Sequence, residues 1–222
     1  MSPTVKPRKR VGNPPQKLQK TSRKWMYIAV VVIIIVIAAG AYAVLRNSST
    51  NTPKNNGTST ANPVAVFDTT LGIFKVELYK DKMPTTVNNF VKLVNDGFYN
   101  GLIFHRIGAN FMIQGGGYYP NNGTLKSSPY GNIPFETSDV KHVDGAISMA
   151  STGAKVGGSA QFFICDGAQT FLDGNYAAFG VTIEGLNVVK TIAAQPHENS
   201  SGDGTGKPTT DIIINSITIA SS

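Results

Sequence analysis

From Val64 to the C-terminus the chain is a succession of short apolar, β-branched and aromatic runs cut by Gly, Asn and Pro, with only two stretches of helical period. This spacing narrows the fold more than any other feature. Strands of about 4–8 residues must satisfy their backbone groups by pairing with one another, and two helices are too few to cover both faces of a parallel sheet. Val64-Ala65-Val66-Phe67-Asp68 and Ile73-Phe74-Lys75-Val76-Glu77-Leu78 flank Thr69-Thr70-Leu71-Gly72, a hairpin pattern with Gly supplying the turn. Met83-Pro84-Thr85-Thr86 opens a helix with Thr85 as its N-cap; Val87, Phe90, Val91 and Val94 line one face, and Gly97 ends it. Further β-rich runs fall at 103–107, 111–114, 146–149, 161–165 and 177–181. A second helix is predicted over 184–194 with Leu186, Val189 and Ile192 as its stripe, and 212–214 with 217–219 reads as a closing strand. The pattern describes an antiparallel barrel or sandwich, and no repeat of fixed period is present.

The N-terminal part obeys different rules. Residues 1–24 carry Lys6, Arg8, Lys9, Arg10, Lys17, Lys20, Arg23 and Lys24 and no acid, leaving 12 of the 20 basic residues against all 13 acids elsewhere. The net charge of +7 is therefore a property of the tail, which lacks aromatic interleaving, and nucleic acid is not an expected partner. Residues 25–45 form an uncharged run around Ile28 to Ile37, closed by Arg46 and bordered by Trp25, Tyr27 and Tyr42. A run of about 20 apolar residues matches a bilayer's hydrocarbon thickness, so the expectation is a single transmembrane helix. Ala41-Tyr42-Ala43 offers a signal-peptidase pattern, but an apolar stretch longer than the usual ~7–15 residues favours a retained signal anchor. The positive-inside rule then places the tail (1–24) in the cytoplasm and the remainder outside. Residues 46–63, rich in Asn, Ser and Thr, form a flexible tether, and 64–222 form the folded domain. Four triplets, at Asn47, Asn56, Asn122 and Asn199, match the N-glycosylation pattern. The lone Cys165, within Phe162-Phe163-Ile164-Cys165, can form no internal disulfide and reads as a small core residue.

Chemistry is harder to place. The three histidines, 105, 142 and 197, show no metal-ligand spacing, and no G-x-S-x-G elbow, P-loop or dinucleotide fingerprint occurs. His105 adjoins Arg106 in a strand, so alternation sends it to the opposite face in a packing role; His142 and His197 sit in turn-like sequence with surface or structural roles. Gly115-Gly116-Gly117 and Gly157-Gly158 lack a following helix and read as turns. What remains is Arg106, a cation that cannot be deprotonated, with Gln114 and Gln161 among Phe111, Met112, Phe163, Phe171, Leu172 and Tyr176. Such a group would suit a mostly hydrocarbon ligand bearing one or two amides.

Three clusters carry a resemblance. "FHRIGANFMIQGGG", "ISMASTGAKVGGSAQFFICDG" and "FLDGNYAAFG", in this order, resemble the signature segments of cyclophilin-type peptidyl-prolyl isomerases, and "MPTTVNNFVKL" and "GFYNGLIFHR" resemble that family's helix and entry strand. The resemblance spans about residues 64–220. It implies a mainly β fold, a closed antiparallel eight-stranded barrel capped by two α-helices, here preceded by the transmembrane helix. It also implies catalytic roles for Arg106 and Gln114, and a substrate site of Phe111, Met112, Ala150, Ser151, Thr152, Gln161, Phe163, Phe171, Leu172 and Tyr176. No metal or cofactor is implied. Phe171 stands where the best-known members have Trp, Tyr176 where they have His and Ser151 where they have Asn; the first change removes an indole N–H and bears on cyclosporin-like ligands. The loop from Gly153 to Gln161 is one residue longer than usual.

The implied activity is isomerisation of X-Pro bonds in folding secreted or membrane proteins, by a monomeric catalytic domain. That barrier, near ~20 kcal/mol, falls if the twisted amide is bound better than either planar form. Twisting returns a lone pair to the prolyl nitrogen, to which Arg106 can donate. The alternative is a chaperone or adaptor that binds Pro segments with little turnover. An adhesion module would leave the Arg/Gln/Phe/Met group without a purpose.

Overall fold

The computed structural model describes residues 62–220 except Asn122 and Ser200. The basic tail, the apolar run of 25–45, nearly all of the tether and the triplets at Asn47 and Asn56 lie outside the described residues, and each of the other two triplets includes a residue that does. Among the described residues no helix is long and apolar enough to cross a membrane.

Eight strands close into an antiparallel barrel. In chain order they are β1 (Val64–Thr69), β2 (Gly72–Leu78), β3 (Ile103–Gly108), β4 (Met112–Gly115), β5 (Ala146–Met149), β6 (Phe162–Cys165), β7 (Ala177–Glu184) and β8 (Ile212–Ala220). Around the barrel the order is β1-β2-β7-β5-β6-β4-β3-β8, and β8 returns to pair with β1. Closure leaves no free sheet edge. Two helices, α1 (Pro84–Asn95) and α2 (Leu186–Ala193), complete the domain. The hairpin, the two helices and the closing strand follow the sequence pattern. The second helix is shorter than predicted because Glu184 ends β7, where it pairs with Lys75, and Gly185 takes a left-handed conformation before the first helical residue.

The interior is aromatic. Phe162 of β6 meets Phe67, Phe90, Tyr99 and Phe104 edge-on, with ring centroids 5.6, 5.8, 5.5 and 6.2 Å away. Phe67 stacks on Phe74 at 4.5 Å, which ties the first hairpin to the same cluster. From α1, the predicted face supplies Val87, Phe90 and Val94, joined by Leu93. The Tyr99 hydroxyl, fully buried, donates to the Ala160 carbonyl at 2.9 Å, as a buried phenol must.

Two local expectations are corrected. Thr85 does not cap α1: the N-cap position is Met83 and bears no side-chain bond. The first-turn amides are met instead by Glu136, whose carboxylate accepts from the Thr85 N–H at 3.1 Å, the Thr86 N–H at 2.7 Å and the Thr86 hydroxyl at 2.8 Å. Burial alone would raise this carboxyl's pKa, but the Thr86 and Thr85 donors outweigh it and the pKa is lowered. A negative group at a helix N-terminus also meets the positive end of the dipole. The second correction concerns His105. The pairing of β3 with β4 shifts register between Phe104 and Arg106, so His105 is the extra residue of a β-bulge. Phe104 and Ile107 point into the core while His105 and Arg106 both stay out of it. The two polar side chains face different cavities because of that bulge, not through simple alternation.

The His105 ring packs against Tyr118 at 4.6 Å, and its Nδ1 is buried without a hydrogen-bond partner among the described residues. Burial first, and the nearby Arg106 charge second, lower its pKa from 6.5 to about 4.

Two outcomes follow for stability. Glu136→Ala, leaving the first-turn amides of α1 unmet by the protein, is expected to cost about 1–2 kcal/mol in urea unfolding, and Glu136→Gln less; an unchanged midpoint for the alanine variant would rule out the capping role. For His105 the folded state holds the neutral ring, so between pH 6.5 and about 4 the unfolded chain binds the extra proton and stability is lost as pH falls through that window. Moving from pH 8 to pH 5 is expected to remove roughly 1–2 kcal/mol through His105, a loss that His105→Gln should not show when urea midpoints are compared at the two pH values.

Candidate active site

Outside the barrel core, four strands set a row of side chains by register alone. Arg106 of β3 pairs with Gln114 of β4, Gln114 with Phe163 of β6, and Phe163 with Ser148 of β5. Phe162 faces inward, so the period of two along β6 turns Phe163 outward. There Phe163 packs with Met112, Leu172, Ala146 and Cys165, and with the partly buried Phe111, Ala150 and Tyr176.

The result is a cleft of about 180 Å³ lined by Arg106, Phe111, Met112, Gln114, Ala150, Ser151, Phe163, Leu172 and Tyr176. Nine of the residues expected from the sequence therefore meet in one place. Thr152 and Gln161 line an adjoining cleft of about 200 Å³, which shares Gln114, Ala150 and Ser151 with the first and adds Asn132, Gly157, Gly158 and Ser159. Phe171 lines neither. It is 65% exposed and stacks on Phe111 with centroids 6.0 Å apart, at the rim.

The polar groups form a chain. The Gln114 amide donates from Nε2 to Gln161 Oε1 at 3.1 Å, and its Oε1 accepts from Arg106 Nη1 at 3.4 Å. The guanidinium also donates from Nε to Thr205 Oγ1 at 2.8 Å and from Nη2 to Asp203 Oδ2 at 2.6 Å. Its carbon lies 5.9 Å from the Phe111 ring centre. A hydrogen bond from the Thr205 hydroxyl holds the Asp203 carboxyl below the usual carboxylate range, and the Arg106 charge adds to this.

Beneath the cleft lies a second polar group. His142 is fully buried, its ring parallel to Phe163 at 5.9 Å, so the structural alternative read from the sequence holds and the surface one does not. Its Nδ1 is 3.0 Å from Asp173 Oδ1 and its Nε2 3.1 Å from Ser148 Oγ. Desolvation keeps the imidazole pKa below its ordinary value despite Asp173. Asp173 directly follows Leu172, so the histidine ties one wall of the cleft to its floor. His197, by contrast, is only partly buried. Cys165 is buried, and its thiol is pushed up to about 12 chiefly by desolvation, which leaves it a packing residue. Among the described residues no three His, Cys, Asp or Glu side chains gather as a metal site would require.

Asp203, Thr205, Ser148 and Asp173 are absent from the sequence-derived site. Asp203 and Thr205 stand in Ser201-Gly202-Asp203-Gly204-Thr205-Gly206, a glycine-rich stretch with no periodicity, about a hundred residues from Arg106, and no local pattern links them. The glycine runs do have a spatial meaning. A Cβ on Gly117 would lie 2.6 Å from the Gln161 side chain, and one on Gly157 would lie 1.8 Å from the Ile133 carbonyl oxygen. These positions let chain segments around the adjoining cleft approach more closely than any side chain permits.

Comparison with known proteins agrees with this geometry. The description of the cyclophilin type peptidyl-prolyl cis-trans isomerase/CLD family matches residues 64–219. A peptidyl-prolyl cis-trans isomerase of Synechococcus elongatus is 44% identical over 130 residues, covering 58% of this chain and 87% of the relative. One from Acinetobacter baylyi is 39% identical over 142 residues, covering 61% and 74%. The crystal structure of a cyclophilin type peptidyl-prolyl cis-trans isomerase of Cryptosporidium parvum superposes with a TM-score of 0.65 at 32% identity, over 72% of this chain and 99% of the other. The same protein in the presence of the dipeptide Ala-Pro gives a TM-score of 0.63. With its closed eight-stranded barrel and a cleft walled by Phe111, Met112, Phe163 and Leu172 beneath Arg106, this chain belongs to the cyclophilin-type peptidyl-prolyl cis-trans isomerases.

Proposed function

We propose that the protein isomerises X-Pro bonds in secreted or membrane polypeptides by Arg106-assisted stabilisation of the twisted amide, working as a monomeric domain tethered to the outer face of a membrane. The observation that carries the reading is Arg106 at the edge of an apolar cleft, with its guanidinium held on three sides. A proline ring fits against Phe111, Met112, Phe163 and Leu172, as the Ala-Pro dipeptide used with the Cryptosporidium parvum relative suggests for the class of ligand.

The chemistry breaks no covalent bond. In the planar amide the prolyl nitrogen shares its lone pair with the carbonyl and accepts poorly; as the amide twists the pair localises, and a fixed N–H donor gains an interaction absent from the ground state. A donor already in place has little reorganisation left to undergo. Gln114 serves by orienting Arg106 from one side and binding Gln161 on the other. The adjoining cleft that includes Thr152 and Gln161 lies where residues flanking the proline would run.

Location is read from the sequence outside the described residues: a basic tail, the apolar run of 25–45 as a retained anchor, and the tether to residue 63. Clients would then be chains emerging on the far side, and the near-neutral charge of the folded domain gives nucleic acid no evident surface there.

Arg106→Ala in the full-length protein is expected to lower kcat/KM in a protease-coupled proline-peptide assay on the order of 10²-fold, with the thermal midpoint little changed; wild-type rates would overturn the mechanism. Topology is tested by thiol labelling, since Cys165 is buried and gives no background. Thr210→Cys, at an exposed position, should react with a membrane-impermeant maleimide in intact cells and Ser22→Cys only after lysis; the reverse pattern would refute the orientation.

A further inference from the structure

Building on the role proposed for Arg106, we infer that the loop from Ser201 to Gly206 is a clamp for the guanidinium, in which Asp203 and Thr205 are positioning residues for the isomerisation. Neither residue is among those that line the cleft, and both bond the guanidinium of Arg106, which does. Both act through Arg106.

The geometry fixes the direction of every bond. The Thr205 hydroxyl has one hydrogen, which it donates to Asp203 Oδ1 at 2.6 Å, so only a lone pair is left for Arg106 Nε at 2.8 Å. The Thr205 backbone N–H also donates to Asp203 Oδ1, at 3.1 Å. That oxygen is thereby occupied, and Oδ2 is free to take Arg106 Nη2 at 2.6 Å. With Nη1 on Gln114, three of the guanidinium's five N–H groups are spent on holding it, and one hydrogen on each terminal nitrogen remains.

The clamp is built onto the strand that carries the arginine. Ile107 and Gly206 exchange backbone hydrogen bonds at 2.9 and 3.0 Å, one residue beyond Arg106. Gly108 is required beside them: a Cβ there would lie 2.6 Å from Thr205 Cγ2. Thr205 itself is 1% exposed. An arginine side chain loses considerable rotamer entropy when it is fixed, and a clamp anchored to the same strand removes that cost before substrate arrives. An arginine lacking the clamp would have to be ordered anew in each passage over the barrier. The loss should therefore fall on kcat rather than on KM.

The test combines single and double variants of the full-length protein in the protease-coupled assay. Asp203→Ala is expected to lower kcat about tenfold with KM within about twofold, and Thr205→Val to do the same, whereas Thr205→Ser, which keeps the hydroxyl, restores most of the rate. In an Arg106→Ala background Asp203→Ala should cause no further loss, because the residue it positions is gone. An undiminished loss in that background would assign Asp203 a general structural role and overturn the inference, as would wild-type kcat for Asp203→Ala. Either result is separable from failure of the Arg106 mechanism, which would show as wild-type activity in Arg106→Ala alone.

Discussion

The edge-on packing of Phe162 against four aromatic rings is the contact on which both the barrel and its cleft depend. Phe162 gathers side chains from β1, β3, α1 and the segment after α1, so it joins elements that no single strand pairing would hold together. Each edge-to-face pair adds about 0.5–1.5 kcal/mol beyond area burial, and truncating such a phenylalanine costs about 3–5 kcal/mol. Its position has a second effect. With Phe162 committed to the interior, the pleat of β6 leaves Phe163 no choice but the opposite face, where it becomes the floor of the cleft between Gln114 and Ser148. A one-residue slip would put the floor into the core and the core into solvent. The functional surface is thus specified by the requirement that the core be dry.

Arg106 reaches that surface by a different route. In regular alternation Phe104 and Arg106 would share a face, and an arginine would be driven into an aromatic core at a prohibitive desolvation cost. The bulge at His105 resolves the conflict by inserting one residue, after which Ile107 resumes the inward position. It also leaves the His105 ring packed against Tyr118, with Nδ1 buried and without a hydrogen-bond partner among the described residues. An unpartnered ring nitrogen on one side of the strand accompanies a guanidinium that faces the cleft on the other.

What could be read from the sequence follows the range of the forces involved. The strands, the helices and the apolar walls of the cleft rest on periodicity and on residue types that act within a few positions of one another, and these were legible: Val87, Phe90 and Val94 do face the core, and Met112, Phe163 and Leu172 do meet. The cap of α1 was misread because Thr85 is locally a good capping residue, while Glu136 competes for the same amides from about fifty residues away and satisfies more of them. Asp203 was invisible for the same reason. A carboxylate in a glycine-rich loop carries no mark of its partner until the barrel closes and Gly206 pairs with Ile107. The bulge at His105 has no local signature either, since Phe104-His105-Arg106-Ile107 fits an ordinary strand until the burial of Phe104 and Ile107 is known.

Three titratable groups around the cleft are each shifted toward one fixed form. Cys165 under the floor is held as a thiol, with its pKa pushed to about 12, and burial keeps His142 toward the neutral ring. Asp203 is held as a carboxylate by Thr205 and Arg106, which itself cannot lose its proton. The charge that Arg106 brings to the cleft is therefore a constant of the fold rather than a variable of the medium. For the isomerisation by a fixed donor proposed above, which moves no proton, that constancy matters more than a tuned acid or base. The free energy that an acid–base enzyme invests in pKa shifts goes here into geometry: a bulge that turns the arginine out of the core, a phenylalanine pair that divides core from cleft, and a loop that together with Gln114 holds three nitrogens of one side chain in place.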